Sequence, residues 1–512
     1  MIQNEKILIG KGSQNVYLLP SLANRHGLIA GATGTGKTVT LKVLASDFSQ
    51  LGVPVFIADI KGDVAGISKA GKPHEKIQER IDIIGIQNFE FSGMPTRFFD
   101  VFQKQGHPIR TTVSDMGPEL LSRLMGLTAI QSGVMHITFK IADDNSLKLL
   151  DLKDLRTMLQ YVGDHNKEYT TEYGNVSKQS IGAILRAILK LQDAGGDIFF
   201  GEPMFDILDF IDNDDQGKGI INILDCVELY QSPLLYATFL LWLLSELFEN
   251  LDEVGDLDKP KLVFFFDEAH LLFDDAPKEL VQQIERVVKL IRSKGVGVYF
   301  VTQNPTDIPD SVLAQLANRV QHALRAYTPK EIKTVKAAAQ SFRTNPNFDT
   351  QEQITQLKTG EALVSFLDED GVPSVVEKTL ICPPQCSFNS IDNERRKNII
   401  RASELYGKYE DTIDAESAYE ILKIVMEEEE KEEQKTKVAK KSKKKKSLLE
   451  RAATNAMGTL TRESAKTAIG SFTGNYNPTK TPIEKATNSV ISTIGGEIGR
   501  SLTRGLFSIL KK

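Results

Sequence analysis

At 512 residues, 41% hydrophobic and 25% charged, the chain has room for one large core with appendages or for two to three domains, and its composition argues against wholesale disorder. A net charge of −6 argues against a protein that coats nucleic acid indiscriminately, although a ring or cleft can carry a local basic lining beneath an acidic exterior. Three scattered cysteines are too few for a disulfide framework, and the C-x₃-C pair Cys382 and Cys386 has no second half to make a zinc site. MIQNEKILIGKG has no secretory pattern, and the most apolar run, 234–244, falls short of the roughly 20 residues that cross a bilayer. The expectation is a cytoplasmic protein with no transmembrane segment.

KILIG opens the chain as a short strand, and HGLIAG at 26–31 is a second strand running into a glycine-rich loop. TVTLKVLASDFSQLG then reads as a helix, with Val39, Leu41, Val43, Leu44, Phe48 and Leu51 apolar and Gly52 as its stop. PVFIADIKGD follows as a buried strand whose carboxyl end carries Asp59, Lys61 and Asp63. Strand, loop, helix, strand begins an α/β unit with a mainly parallel sheet. Two strand-like runs, FEFSG and TRFFDVF, lead into patterns such as DLKDLRTMLQYV and SIGAILRAILKLQ, which predict a largely helical insertion over about 100–218.

The sheet resumes with GIINILD at 219–225, a helix over 232–250, the strand KLVFFFDEAH at 261–270, a helix over 277–293 and the strand GVYFVTQNP at 297–305. A helix over 309–317, a strand over 318–326 and the helix KEIKTVKAAA precede a closing hairpin that turns at Glu369–Gly371. The core so read spans 1–390. A helical extension over 391–425, an acidic-then-basic linker over 426–447 and a glycine-containing amphipathic tail over 448–512 complete the chain. In the tail Ile494, Ile498, Leu502, Leu506 and Leu510 recur every four residues, an apolar stripe suited to docking on a protein partner, another subunit of the assembly, or alternatively on an anionic membrane surface.

GATGTGKT at Gly31–Thr38 fits G-x₄-G-K-[ST] in full, with an apolar strand before it and an amphipathic helix after it. Gly31, Gly34 and Gly36 let the backbone curl so that N–H groups point inward at phosphate, and the helix amino terminus adds its positive end. The candidate ATP-binding residues are Gly31, Ala32, Thr33, Gly34, Thr35, Gly36, Lys37, Thr38 and Val39, with Lys37 on the β- and γ-phosphates and the Thr38 hydroxyl on Mg²⁺. LVFFFDEAH sets Asp267 at the carboxyl end of a central strand, where it would hold the metal through water, and Glu268 next to it as general base. Gln303 ends the next strand beside that pair, within reach of the γ-phosphate or the attacking water. Asp59, Lys61 and Asp63 share the rim, either ordering water or sensing the γ-phosphate there, or simply shaping a turn. Arg319 and Arg325 flank VQHAL, and an arginine presented to a neighbour's nucleotide can stabilise the transferring phosphoryl group.

GATGTGKT, DIKGD, LVFFFDEAH and VTQNPTDIPDSVLAQLANRVQHALRA, in this order, resemble the HerA–FtsK superfamily of P-loop ATPases, and within it the bacterial HerA-like, YjgR-type family. The resemblance covers roughly residues 5–385. It implies a RecA-like core with an additional strand beside the Walker strands, a homohexameric ring, and ATP-driven movement of DNA. In that setting Arg319 or Arg325 would be the trans-acting arginine. One departure stands out: HerA proper carries a small β-barrel before its phosphate loop, whereas here that loop begins at Gly31. A DNA translocase is therefore one reading, and a ring ATPase that remodels or regulates a protein partner is the other.

Overall fold

The computed structural model describes residues 1–273 and 278–436, so the tail over 448–512 and most of the basic half of the linker lie outside the described residues. The chain divides into two compact units, one formed by 1–109 and 205–411, the other by 110–204 and 412 onward.

The first unit is built on one sheet of twelve strands. In chain order they are β1 (Ile2–Gln3), β2 (Lys6–Lys11), β3 (Asn15–Leu18), β4 (Gly27–Ala30), β5 (Val55–Asp59), β6 (Thr96–Phe99), β7 (Ile221–Asp225), β8 (Leu262–Phe266), β9 (Val296–Thr302), β10 (Asn318–Gln321), β11 (Glu361–Ser365) and β12 (Glu377–Ile381). They lie in the order β1-β2-β12-β11-β10-β4-β9-β8-β5-β7-β6, with β3 paired to the free side of β2. From β10 to β6 all pairs are parallel, while β11, β12, β2, β1 and β3 continue the sheet antiparallel. The parallel half explains the unbroken apolar runs: every residue of β5, β8 and β9 is buried, as strands covered on both faces require.

Register sets the functional rim. Ala30 pairs with Thr302, Phe300 with Phe266, and Phe266 with Ala58. The glycine loop after β4, Gln303 after β9, Asp267 after β8 and Asp59 at the end of β5 therefore emerge side by side, and β9 lies between the two Walker strands. Helix α1 (Lys37–Gln50) buries Leu41, Leu44, Ala45 and Phe48 in the core. The helix Pro233–Asn250 is apolar on all sides because its residues from Leu235 to Leu244 are buried in the protein. No described helix is long and apolar enough to cross a membrane.

The second unit is helical. Its longer helices are Val113–Leu124, Ala129–Asp144, Leu152–Asp164, Lys178–Asp193 and Ala418–Thr436. Asp154 joins the last of these to the rest: buried in the helix Leu152–Asp164, it accepts from Ser417 Oγ at 2.5 Å and from the Tyr419 N–H at 2.9 Å.

Three local expectations fail for physical reasons. FEFSG is not a strand; its two phenylalanines pack edge to face at 5.1 Å, and its glycine, Gly93, sits against the Ser68 carbonyl. The helix expected over 309–317 is only Asp310–Leu313, because Ala317 and Asn318 already donate to the Arg25 and His26 carbonyls as the chain enters the sheet. The strand expected to reach 326 stops at Gln321, since its partner β4 ends at Ala30 where the loop departs.

Candidate active site

The loop after β4 is tied to both neighbouring strands: Gly31 N donates to the Thr302 carbonyl at 3.2 Å and Ala32 N to the Ala323 carbonyl at 2.8 Å. Glycine is required at position 31, where φ is 154° and a Cβ would lie 2.5 Å from His322 Cβ. At Gly34 the requirement is conformational alone, with φ at 76° and open space around a Cβ. The first turn of α1 begins at Lys37, so its backbone N–H groups, which have no intrahelical acceptors, face the loop. Lys37 is buried and its ammonium donates to the Gly31 and Ala32 carbonyls at 2.6 and 3.2 Å. Burial holds that ammonium below the usual lysine range, opposed in part by the charge of Glu268. Thr38 is half-buried in the same turn, and Val39 packs on the core.

Asp267 and Glu268 follow β8 in contrasting environments. Asp267 is buried and its Oδ2 has no hydrogen-bond partner among the described residues. Burial, reinforced by the neighbouring Glu268 charge, pushes its carboxyl up to about 7. Glu268 sits at φ 45°, ψ 49°, a left-handed conformation that costs a non-glycine residue energy and turns its side chain away from the strand line. Its Oε1 is held by the Lys61 ammonium and accepts from Gln303 Nε2 at 2.9 Å, while His270 Nδ1 lies 3.4 Å from Oε2. Burial raises the Glu268 carboxyl, but the Lys61 and Gln303 hydrogen bonds outweigh it and hold the group below its usual range. Gln303 Oε1 in turn accepts from the Thr33 hydroxyl at 3.0 Å. One chain of contacts thus runs from the phosphate-loop candidate through Gln303 to Glu268 and Lys61.

The fit to Mg²⁺ rests on Asp267. A buried carboxylate oxygen without a donor is costly, and a cation or its water shell would supply what the fold leaves out. The Thr38 hydroxyl offers the second oxygen. Asp59 differs, since both of its oxygens accept from its own turn, from Gly62 N at 2.8 Å and Val64 N at 3.1 Å, and so shape the DIKGD turn. The structure does not bring Arg319 to the loop: it stands beside Leu28 near the amino end of β10, and its guanidinium donates to the Leu313 and Leu316 carbonyls. Arg325 leaves the other end of that strand, exposed, with a hydrogen bond to the Thr355 carbonyl.

Sequence reading named Lys61 only as a rim residue, without its partner, and missed His322. The Lys61–Glu268 contact needed the strand order, because only the adjacency of β5 and β8 brings DIKGD to DEAH. His322 bridges the Thr40 hydroxyl at 2.8 Å and the Glu361 carbonyl at 3.0 Å beneath the loop, and burial lowers it to about 4, so it is neutral there. Nothing in the sequence marked it.

The sequence pattern of the family described as helicase HerA-like C-terminal matches residues 4–512. The chain belongs to that family. Among curated relatives, the DNA double-strand break repair helicase HerA of Sulfolobus acidocaldarius is 23% identical over 364 residues, covering 70% of this chain and 65% of its own. HerA of Sulfurisphaera tokodaii is 23% identical over 373 residues, with 70% and 66% covered. The HerA-like chain thus spans just under two thirds of the length of these relatives. Among solved structures, the plasmid coupling protein TrwB in complex with an ATP analogue superposes with a TM-score of 0.52 at 15% identity, over 77% of this chain and 92% of TrwB. Unbound TrwB gives 0.52 at 14% identity with the same coverage. The fold is the RecA-like P-loop ATPase fold.

Proposed function

We propose that this HerA-like chain is a Mg²⁺-dependent ATPase that works in the cytoplasm as a homohexameric, helicase-like motor on DNA. The observation that carries the ATPase reading is the orphaned, buried Asp267 oxygen beside a restrained Glu268, on the rim where the phosphate loop emerges. Lys37 exchanges its two loop carbonyls for β- and γ-phosphate oxygens. Thr38 and Asp267 would hold Mg²⁺, which would supply charge neutralisation at the phosphates. Glu268 takes the proton of the attacking water.

Lys61 and Gln303 both bind Glu268 Oε1, so one oxygen of the base is engaged, while its Oε2 has no hydrogen-bond partner among the described residues. A γ-phosphate on this rim competes for both groups, which frees Glu268 as substrate arrives. Arg325, at the rim end of its strand, is the better placed of the two arginines to reach a neighbour's nucleotide. The relatives named as DNA repair helicases support DNA as the substrate.

The test is steady-state ATP hydrolysis with and without single- and double-stranded DNA at two salt concentrations, with mass measured by light scattering. The expected outcome is Mg²⁺-dependent turnover by a six-subunit species, stimulated by DNA less strongly at high salt. Turnover by such a ring with no response to DNA would favour a remodelling ATPase and overturn the DNA assignment. Absence of turnover under all conditions would overturn the whole reading.

A further inference from the structure

The segment that follows β10 is bound to the phosphate loop at both of its ends. At its start, the Ala323 carbonyl accepts from Ala32 N at 2.8 Å; at its finish, Gly360 N donates to the Thr35 carbonyl at 3.0 Å. Between them lie the helices Pro329–Gln340 and Thr350–Gln356, packed through Val335, Ala338, Phe342, Ile354 and Leu357 into a small apolar cluster that also takes in Leu363 of β11. Both ends of this segment are therefore anchored on the glycine loop.

The outer face of Pro329–Gln340 is basic. Val335 and Ala338 define the buried side, and Lys330, Lys333 and Lys336, three residues apart, are exposed on the opposite side. At about 1.5 Å rise per residue they extend over roughly 9 Å of helix. None of the three forms an ion pair among the described residues. The helix's one acid, Glu331, is turned back to the cap, where it accepts from the Tyr327 and Thr328 N–H groups at 2.7 and 2.8 Å. That cap holds the backbone N–H of Tyr327, a residue that is 86% exposed. From 325 to 343 the chain carries five basic residues and one acidic one, in a protein whose net charge is −6.

We propose that this face grips a single strand of DNA, with Lys330, Lys333 and Lys336 on successive phosphates and Tyr327 as a stacking platform for a base. The inference rests on the DNA-motor reading above and names the surface through which that motor would hold its track. Charge complementarity selects a polyanion. The solvent-facing ring, carried on a capped backbone, selects an unpaired strand, because a duplex hides the base faces on which an aromatic stacks. The hydrogen bonds to Ala32 and Thr35 make the same segment the route by which phosphate chemistry moves the strand.

The test uses the full chain with the triple variant Lys330→Gln/Lys333→Gln/Lys336→Gln and, separately, Tyr327→Ala. Binding to a fluorescent single-stranded oligonucleotide and to its duplex is measured across a salt series, alongside ATP turnover. The triple variant should keep basal turnover, lose most DNA stimulation, and flatten the slope of log affinity against log salt by about 2 on single strands. Tyr327→Ala should weaken single-strand binding by roughly 5- to 100-fold and duplex binding much less. Unchanged affinity and slope in the triple variant, with a wild-type protein that DNA does stimulate, would overturn this surface and leave the motor reading standing. Equal losses on single strand and duplex with an inert Tyr327→Ala would overturn the single-strand assignment. A wild-type protein that hydrolyses ATP but ignores DNA would remove the motor reading, and this surface with it.

Discussion

Two acidic turns stand on neighbouring parallel strands, at Asp59 after Ala58 and at Asp267 after Phe266, residues that pair in register. Both aspartates are buried, and burial pushes both carboxyls up, to about 6 at Asp59 and about 7 at Asp267. Charge, depth and position on the sheet therefore do not separate them. Hydrogen-bond saturation does. Asp59 spends both oxygens on the backbone of its own turn, whereas Asp267 keeps a buried oxygen without a donor. A carboxylate with both oxygens tied to its own turn serves the frame; one with a buried oxygen left without a donor among the described residues is open to a partner that is not protein.

The largest effect expected on this rim is at Glu268. Glu268→Gln should retain nucleotide binding while turnover falls by roughly 10²–10⁴-fold, the contribution of a positioned general base, as measured by single-turnover hydrolysis. Full turnover in that variant would move the base elsewhere. The comparison between the two aspartates is broken most directly by exchanging each in turn. Asp267→Asn should lower the apparent Mg²⁺ affinity of hydrolysis by about 10–100-fold, as loss of an outer ligand does, while leaving the nucleotide-free protein at least as heat-stable. Asp59→Asn should do the reverse, costing about 1–3 kcal/mol of unfolding free energy with Mg²⁺ affinity little changed. If the two variants show the same profile in Mg²⁺ titration and thermal melts, the distinction drawn here is wrong.

Lys61 sharpens the picture with a smaller effect. Burial alone raises the Glu268 carboxyl, and Lys61 is the first of the groups that outweigh burial and hold it low. Removing that charge in Lys61→Met should shift the acid limb of the pH profile of kcat/KM to higher pH, with turnover at alkaline pH largely kept. An acid limb that stays in place would assign Lys61 to the turn alone.

Much of the frame was readable because it rests on local pattern. The glycine loop, the helix after it, and the runs VFIAD, LVFFF and VGVYFVT announce a parallel sheet through composition and position alone. What the sequence left open depended on which strands become neighbours. DIKGD and DEAH are about 200 residues apart in the chain, and no local feature says that Lys61 will lie on Glu268. Likewise the difference between Asp59 and Asp267 is a matter of which backbone N–H groups turn towards them. The ends of elements were misread for the same cause: β10 stops where its partner stops, although the apolar pattern continues to Ala326. Arg319 and Arg325 look equivalent in the sequence, and only the direction of β10 separates the arginine near the base of the sheet from the one at the rim.

The smallest effect, and the one that reads the two carboxylates against each other, is the dependence of stability on pH. A carboxyl raised from 3.8 to about 7 by folding is protonated in the native state across a window where the unfolded chain has already lost its proton. In that window the native state binds more protons, so the contribution of Asp267 to stability is full below about pH 4 and is lost progressively as pH rises to about 7. Asp59 adds a similar loss that ends about one unit lower, near 6. Melting temperatures of the nucleotide-free protein and of Asp267→Asn, taken from pH 5 to 8, should therefore diverge as pH rises, with the asparagine variant increasingly the more stable, and the gap should level off above about 7. Adding Mg²⁺ and a non-hydrolysable nucleotide should close that gap, because a cation at the orphan oxygen favours the ionised form and binding then releases a proton below pH 7. The Asp59→Asn comparison should show no such closure, since its carboxylate answers to the backbone and not to the metal. A gap between wild type and Asp267→Asn that is flat across this range, or indifferent to Mg²⁺ and nucleotide, would mean that the unfilled oxygen of Asp267 has a partner in solution other than the metal.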